Sequence, residues 1–94
     1  MSKSIISNEY ECFICKTNRY LQRHHIFYGT ANRAISEEWG CWVWLCSRHH
    51  NGSNAGVHLN RGLDMRLKVM CQEEWEKRFG GREAFIKTFG RSWI

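Results

Sequence analysis

The apolar positions change their period several times along the chain, and each change marks an element. From Arg19 to Tyr28 (RYLQRHHIFY) aromatic and β-branched residues are dense, and the run stops at Gly29. That pattern predicts a strand with its two histidines near the end. Ala31 to Trp39 (ANRAISEEW) reads as a helix stopped by Gly40. Trp42 to Leu45 is a short β-prone run closing at Cys46, expected to pair antiparallel with the first strand. Cys46 to Asn51 reads as a short helix or helical turn ended by Gly52, and residues 51–56 (NGSNAG) form a loop by composition. Leu63, Leu67, Met70, Cys71, Trp75 and Phe79 then recur at steps of three and four. They make one apolar stripe on a helix of about five turns, running to Gly80 and Gly81. A last helix, Arg82 to Phe89, puts Phe85, Ile86 and Phe89 on one side.

These elements predict a small α+β fold in a single domain, 1–94, with no repeat or linker. Residues 1–11 are polar and read as a frayed, flexible N-terminus, residues 12–58 as the strand-bearing half, and residues 59–94 as a helical scaffold covering it. A chain of this size buries only about 60–65% of its unfolded surface, so a metal staple is expected to help. With 43% hydrophobic residues the chain is a folded domain, not a disordered tail. The opening MSKSIISNEYE lacks the layout of a signal peptide, and no apolar run approaches the roughly 18 residues of a membrane span. A cytoplasmic location, where thiols stay reduced, is the expectation. Five cysteines, an odd number containing a C-x-x-C pair, then read as metal ligands in preference to disulfides.

Cys12, Cys15, Cys46 and His49 form two C-x-x-[CH] pairs. A two-residue gap lets a tight turn aim both side chains at one ion, and two such turns complete a tetrahedron suited to structural zinc. Three thiolates and one neutral imidazole leave about one negative charge, balanced by Lys16, Arg19 and Arg48. Cys71 falls on the apolar stripe and reads as core. Cys41 is a competing ligand without a partner at the two-residue spacing.

His24, His25, His50 and His58 remain. Adjacent residues of a strand face opposite ways, so His24 and His25 act together only where the strand twists or ends. His50 is carried by the same turn as His49 but aimed elsewhere. A divalent ion held by two imidazoles can neutralise a scissile phosphate, and a neighbouring neutral histidine can take the proton of an attacking water. His58 follows the loop, and three roles are open to it: third metal ligand, phosphate contact, or exposed loop residue.

The C-x-x-C pair, the triplet His24-His25-Ile26 and the segment Leu45-Cys46-x-x-His49-His50 together resemble the HNH, or ββα-metal, endonuclease family in its zinc-stapled form. The resemblance covers Cys12 to about His58 and makes residues 12–58 an HNH-like ββα core. It is also similar to the small free-standing HNH proteins of phages and prophages. The resemblance implies a catalytic Mg²⁺, Mn²⁺ or Ni²⁺ held by His24 and His50, with His25 as general base. It further implies DNA as substrate, with work in phage DNA processing, beside a packaging motor, in the cytoplasm of a bacterial host. One position departs from the family: its central Asn falls at Cys41 here, where a thiol cannot make an amide's hydrogen bonds. Asn32, Asn51 and Asn54 are the candidate substitutes. The departure keeps a second reading alive, a non-catalytic zinc module that binds DNA or a partner protein. A third is a zinc-stapled interaction protein that uses exposed aromatics.

Fourteen Lys and Arg against nine Asp and Glu give a net charge of +5, compatible with a phosphate backbone as partner. Arg33, Arg48, Arg61, Arg66 and Lys68 flank the histidines and are the candidate phosphate contacts. Any one of them alone reads as part of a solvated helix face. No recognition element stands out, so little sequence specificity is expected. Five Trp invite base stacking, but Trp42, Trp44 and Trp75 lie on strand or helix core patterns, so packing is the preferred reading.

Overall fold

The computed structural model describes residues 3–52, 56–58 and 60–94, of which residues 51 and 52 in backbone alone. Strand β1, Leu21–His25, leads to helix α1, Asn32–Trp39, and strand β2, Trp42–Cys46. A π-helical turn, Arg48–Gly52, precedes helix α2, Arg61–Trp75. A second π-helical turn, Glu76–Gly80, joins α2 to helix α3, Gly81–Phe89. The architecture is α+β, with a two-stranded antiparallel sheet whose register runs from Leu21↔Cys46 to His25↔Trp42.

Because side chains alternate along a strand, this register sorts the hairpin into two faces. Arg23, His25, Trp42 and Trp44 share one; His24, Val43 and Leu45 share the other, and those three are fully or almost fully buried. The strand expected over residues 19–28 is shorter than that, because Ile26 and Phe27 leave the ladder to enter the core. Phe27 becomes its hub, with ring centroids 5.2 Å from Phe85, 4.7 Å from Phe89 and 4.8 Å from Trp93. Helix α3 and Trp93 beyond it are thereby packed on the turn that follows β1.

Helix α1 ends at Gly40, whose φ of 77° is left-handed and whose N–H returns to the Ser36 carbonyl. No side chain fits at this position: an added Cβ would stand 2.2 Å from the Lys3 carbonyl oxygen. The N-terminus therefore differs from the frayed tail expected. Ile5 N–H bonds to the Gly40 carbonyl at 2.9 Å, the Ser4 hydroxyl donates to the Trp42 carbonyl, and Ser4 and Ile5 are buried. Polarity misled there, because the serine satisfies a carbonyl at the start of β2, where the hairpin's connection ends.

Helix α2 starts at Asn60, whose side-chain oxygen accepts from Leu63 N–H at 3.0 Å. Leu67, Cys71 and Trp75 are buried as the stripe predicts, but Phe79 is 43% exposed. The wider π-helical turn after Trp75 carries Phe79 off the stripe, and it packs beside Trp39 at 5.0 Å instead. Ile86, placed with Phe85 and Phe89 by spacing, is 39% exposed. Asp64, Lys68 and Gln72 are buried on α2 although polar. Among the described residues, no helix is long and apolar enough to cross a membrane.

Candidate metal centre and histidine cleft

The first cysteine pair sits in a tight knuckle. Cys12 N–H bonds to the Thr17 carbonyl at 2.7 Å, Lys16 N–H returns to the Cys12 carbonyl at 2.9 Å, and Lys16 takes a left-handed φ of 68° to close the turn. Phe13 N–H then docks the knuckle on the Trp44 carbonyl at 2.8 Å. The second pair comes from the end of β2 and the π-helical turn. The ligand atoms of Cys12, Cys15, Cys46 and His49 all lie within 4.8 Å of one another. His49 Nδ1 stands 3.7 Å from Cys12 Sγ and 3.2 Å from Cys46 Sγ, and Cys15 Sγ is 3.8 Å from Cys46 Sγ. A tetrahedral ion with metal–sulfur bonds of about 2.3 Å sets neighbouring sulfurs roughly 3.8 Å apart, so this cluster can hold a metal ion such as zinc. Burial pushes the Cys12 thiol up, but hydrogen bonds from the backbone at Cys15, Cys46 and Ile14 outweigh it and bring the thiol down to about 6. Cys12 is thus a ready thiolate ligand. Burial and the neighbouring Cys12 and Cys15 push the Cys46 thiol up instead.

Cys41 is not part of this cluster. It is fully buried and hydrogen-bonds with Cys71 of α2, a contact that, with burial, drives the Cys71 thiol far up. Both are core residues, Cys41 just before β2 and Cys71 on α2.

The histidines converge on the other side of the π-helical turn. Val57 N–H bonds to the His49 carbonyl at 2.7 Å and His58 N–H to the His50 carbonyl at 3.3 Å, folding the chain back. His24, His50 and His58 then bring one ring nitrogen each within 4.8 Å of the others. His50 Nε2 and His58 Nε2 are 3.2 Å apart. Metal–nitrogen bonds of about 2.0–2.1 Å put adjacent ligands roughly 3.0–3.4 Å apart, so the spacing suits an ion. His24 Nε2 is buried without a hydrogen-bond partner, an arrangement natural to a ligand atom. His50 Nδ1–H donates to Gln22 Oε1 at 2.5 Å, which fixes the tautomer and leaves Nε2 its lone pair. Of the roles open to His58, the fold favours the shared cluster.

These rings, with His25, Arg23, Tyr28 and Arg33, line a cleft of about 260 Å³. His25 reaches it from the end of β1 while its Nε2–H donates to Glu37 Oε1 at 2.8 Å. Arg33 borders this cleft and a second one beside Glu37. Arg48, Arg61 and Arg66 are exposed, as phosphate contacts require. Lys68, expected among them, is placed differently: it is 5% exposed, its Nζ 2.6 Å from Asp64 Oδ2 and 3.9 Å over the Tyr28 ring. Asn32, a candidate for the missing amide, donates to the Phe89 carbonyl at 3.2 Å and so ties α1 to α3. The Asn51 side chain and Asn54 lie outside the described residues.

Sequence reading missed Gln22, Glu37 and Tyr28. Gln22 had a signal, since two residues before His24 on a strand means the same face. Glu37 had none, because its pairing depends on how α1 lies along β1.

Burial, then the positive charges that His50, His58 and Lys68 place nearby, push His24 down to about 3 from its ordinary 6.5. Between these values the unfolded chain binds a proton that the native chain refuses, so stability falls as pH drops below about 6.5 and is fully present above it. His24→Phe is therefore expected to flatten the acid limb of urea-unfolding stability between pH 6.5 and 4 in zinc-loaded protein. Parallel slopes for the two proteins would refute this.

No family model, no curated protein and no solved structure matches the chain.

Proposed function

We propose that the chain is a metal-dependent DNA endonuclease of the HNH type, with a structural zinc at Cys12, Cys15, Cys46 and His49. The observation that carries the reading is the convergence of three imidazoles, His24, His50 and His58, in a cleft bordered by His25 and Arg33. A divalent ion such as Mg²⁺, Mn²⁺ or Ni²⁺, when bound there, supplies charge neutralisation at a phosphodiester. His25 takes the proton from the attacking water, and the water oxygen forms a bond to phosphorus as the bond to the leaving oxygen breaks. Arg33 at the cleft and the exposed Arg48, Arg61 and Arg66 attract the backbone without reading bases, which fits low sequence specificity. Work in phage or prophage DNA processing, in a bacterial cytoplasm, follows from the resemblance by analogy.

The test is nicking of supercoiled plasmid with Mg²⁺, Mn²⁺ or Ni²⁺. Wild type is expected to nick, and His25→Ala to lose about 10²–10⁴-fold in rate, the usual worth of a general base. The second reading, a zinc module that binds DNA or a protein without cutting, is favoured by one observation: the family's amide position is the buried thiol of Cys41. Salt-dependent DNA binding without nicking under any of the three ions would select it.

A further inference from the structure

We propose that Glu37 is the positioning residue for His25, doing from helix α1 what no side chain does from position 41. The inference rests on the nuclease reading of the cleft and extends it to a residue outside the family's motif.

The carboxylate is held from several sides. Its Oε1 accepts from His25 Nε2–H at 2.8 Å, and its Oε2 accepts from the Arg23 guanidinium at 2.7 Å. Arg23 itself lies 3.8 Å over the Trp42 ring and 5.3 Å from that of Trp44, so its fork is fixed by stacking on the outer face of the hairpin. The neighbouring Ser36, fully buried, locks the helix to the turn after β1: its hydroxyl donates to the Phe27 carbonyl at 2.6 Å and accepts from Phe27 N–H at 3.2 Å. Strand, turn and helix therefore converge on one carboxylate–imidazole pair.

The chemical consequence is a defined tautomer. With Nε2 carrying the hydrogen given to Glu37, Nδ1 keeps the lone pair, and a ring flip would break the bond. His25 borders both the histidine cleft and the cleft beside Glu37, so the ring stands between its anchor and the reacting water. The water's proton goes to Nδ1, its oxygen attacks phosphorus, and the leaving oxygen takes a proton from solvent. Glu37 is 34% exposed, so its contribution is orientation more than field strength.

The zinc-loaded full chain, labelled with ¹⁵N in histidine and given no further divalent ion, reports the tautomer directly in long-range ¹H–¹⁵N spectra. Wild type is expected to show His25 with its hydrogen on Nε2 alone. Glu37→Ala is expected to show a mixture, and Glu37→Gln, which keeps an acceptor, to recover the single form. In plasmid nicking Glu37→Ala should lower kcat about 10–100-fold with KM within about twofold, the usual loss for a residue that orients another. A wild-type His25 with its hydrogen on Nδ1, or a tautomer unmoved by Glu37→Ala, overturns the proposal. If the tautomer behaves as expected but wild type cuts no DNA, the nuclease reading falls and the positioning role in catalysis falls with it. Should Glu37→Ala not fold, the tautomer in Arg23→Met, which frees one side of the carboxylate, decides in its place.

Discussion

Removing the metal from the cysteine knuckle is expected to abolish cooperative folding. Cys12 is fully buried, and Cys46 and His49 are 7% and 8% exposed, so three of the four ligands lie inside the protein. Backbone hydrogen bonds bring the Cys12 thiol down to about 6, whereas burial and the neighbouring Cys12 and Cys15 push the Cys46 thiol up, so gathering the thiolates at one point calls for a cation between them. Structural zinc supplies roughly 10–16 kcal/mol to small domains at pH 7, as much as the whole stability of a typical fold, roughly 5–15 kcal/mol. Chelation, or Cys46→Ser, should therefore erase the melting transition in circular dichroism, and added Zn²⁺ should restore it to the chelated wild type. A metal-free protein, verified by elemental analysis, that melts where the loaded one does would sink the assignment.

The second large effect is expected at a pair that takes no part in the proposed chemistry. Asp64 Oδ2 accepts from Lys68 Nζ at 2.6 Å and from the Tyr28 hydroxyl at 3.1 Å, while Oδ1 is buried with no hydrogen-bond partner. Lys68→Met strands a carboxylate that is only 9% exposed, and breaking a buried pair from one side costs about 3–5 kcal/mol. The double variant Asp64→Leu with Lys68→Met removes both charges and should recover most of that loss. Urea unfolding of the two singles and the double measures the coupling directly. Additive losses, or a mild single, would show that the pair is solvated. Tyr28 links the pair to the cleft, its ring centroid 5.4 Å from that of His58, so the single variants should also loosen the histidine cluster.

The contrast between these two sites explains how much could be read in advance. The knuckle was legible because tetrahedral coordination demands fixed spacing, and spacing is written in sequence. The hairpin was legible because Gly29 and Gly40 bracket its elements and Trp42 to Leu45 strongly favours a strand. Helix α2 was legible in its apolar stripe only. Asp64, Lys68 and Gln72 stand four residues apart and share a face, yet polarity alone assigns that face to water. They are buried because each finds a partner: Asp64 and Lys68 in one another, Gln72 in Glu76, Ser92 and the Trp93 backbone. Partners twelve or more residues away, as Glu37 is to His25, are set by tertiary packing and leave no periodic trace.

One short turn holds the two clusters together. His49 belongs to the knuckle and His50 to the cleft, and a single peptide bond joins them within Arg48–Gly52. The one turn therefore positions a ring for each cluster. Were an ion in the cleft to restrain this turn, linkage would make it tighten the grip on zinc by the same factor as zinc tightens the cleft.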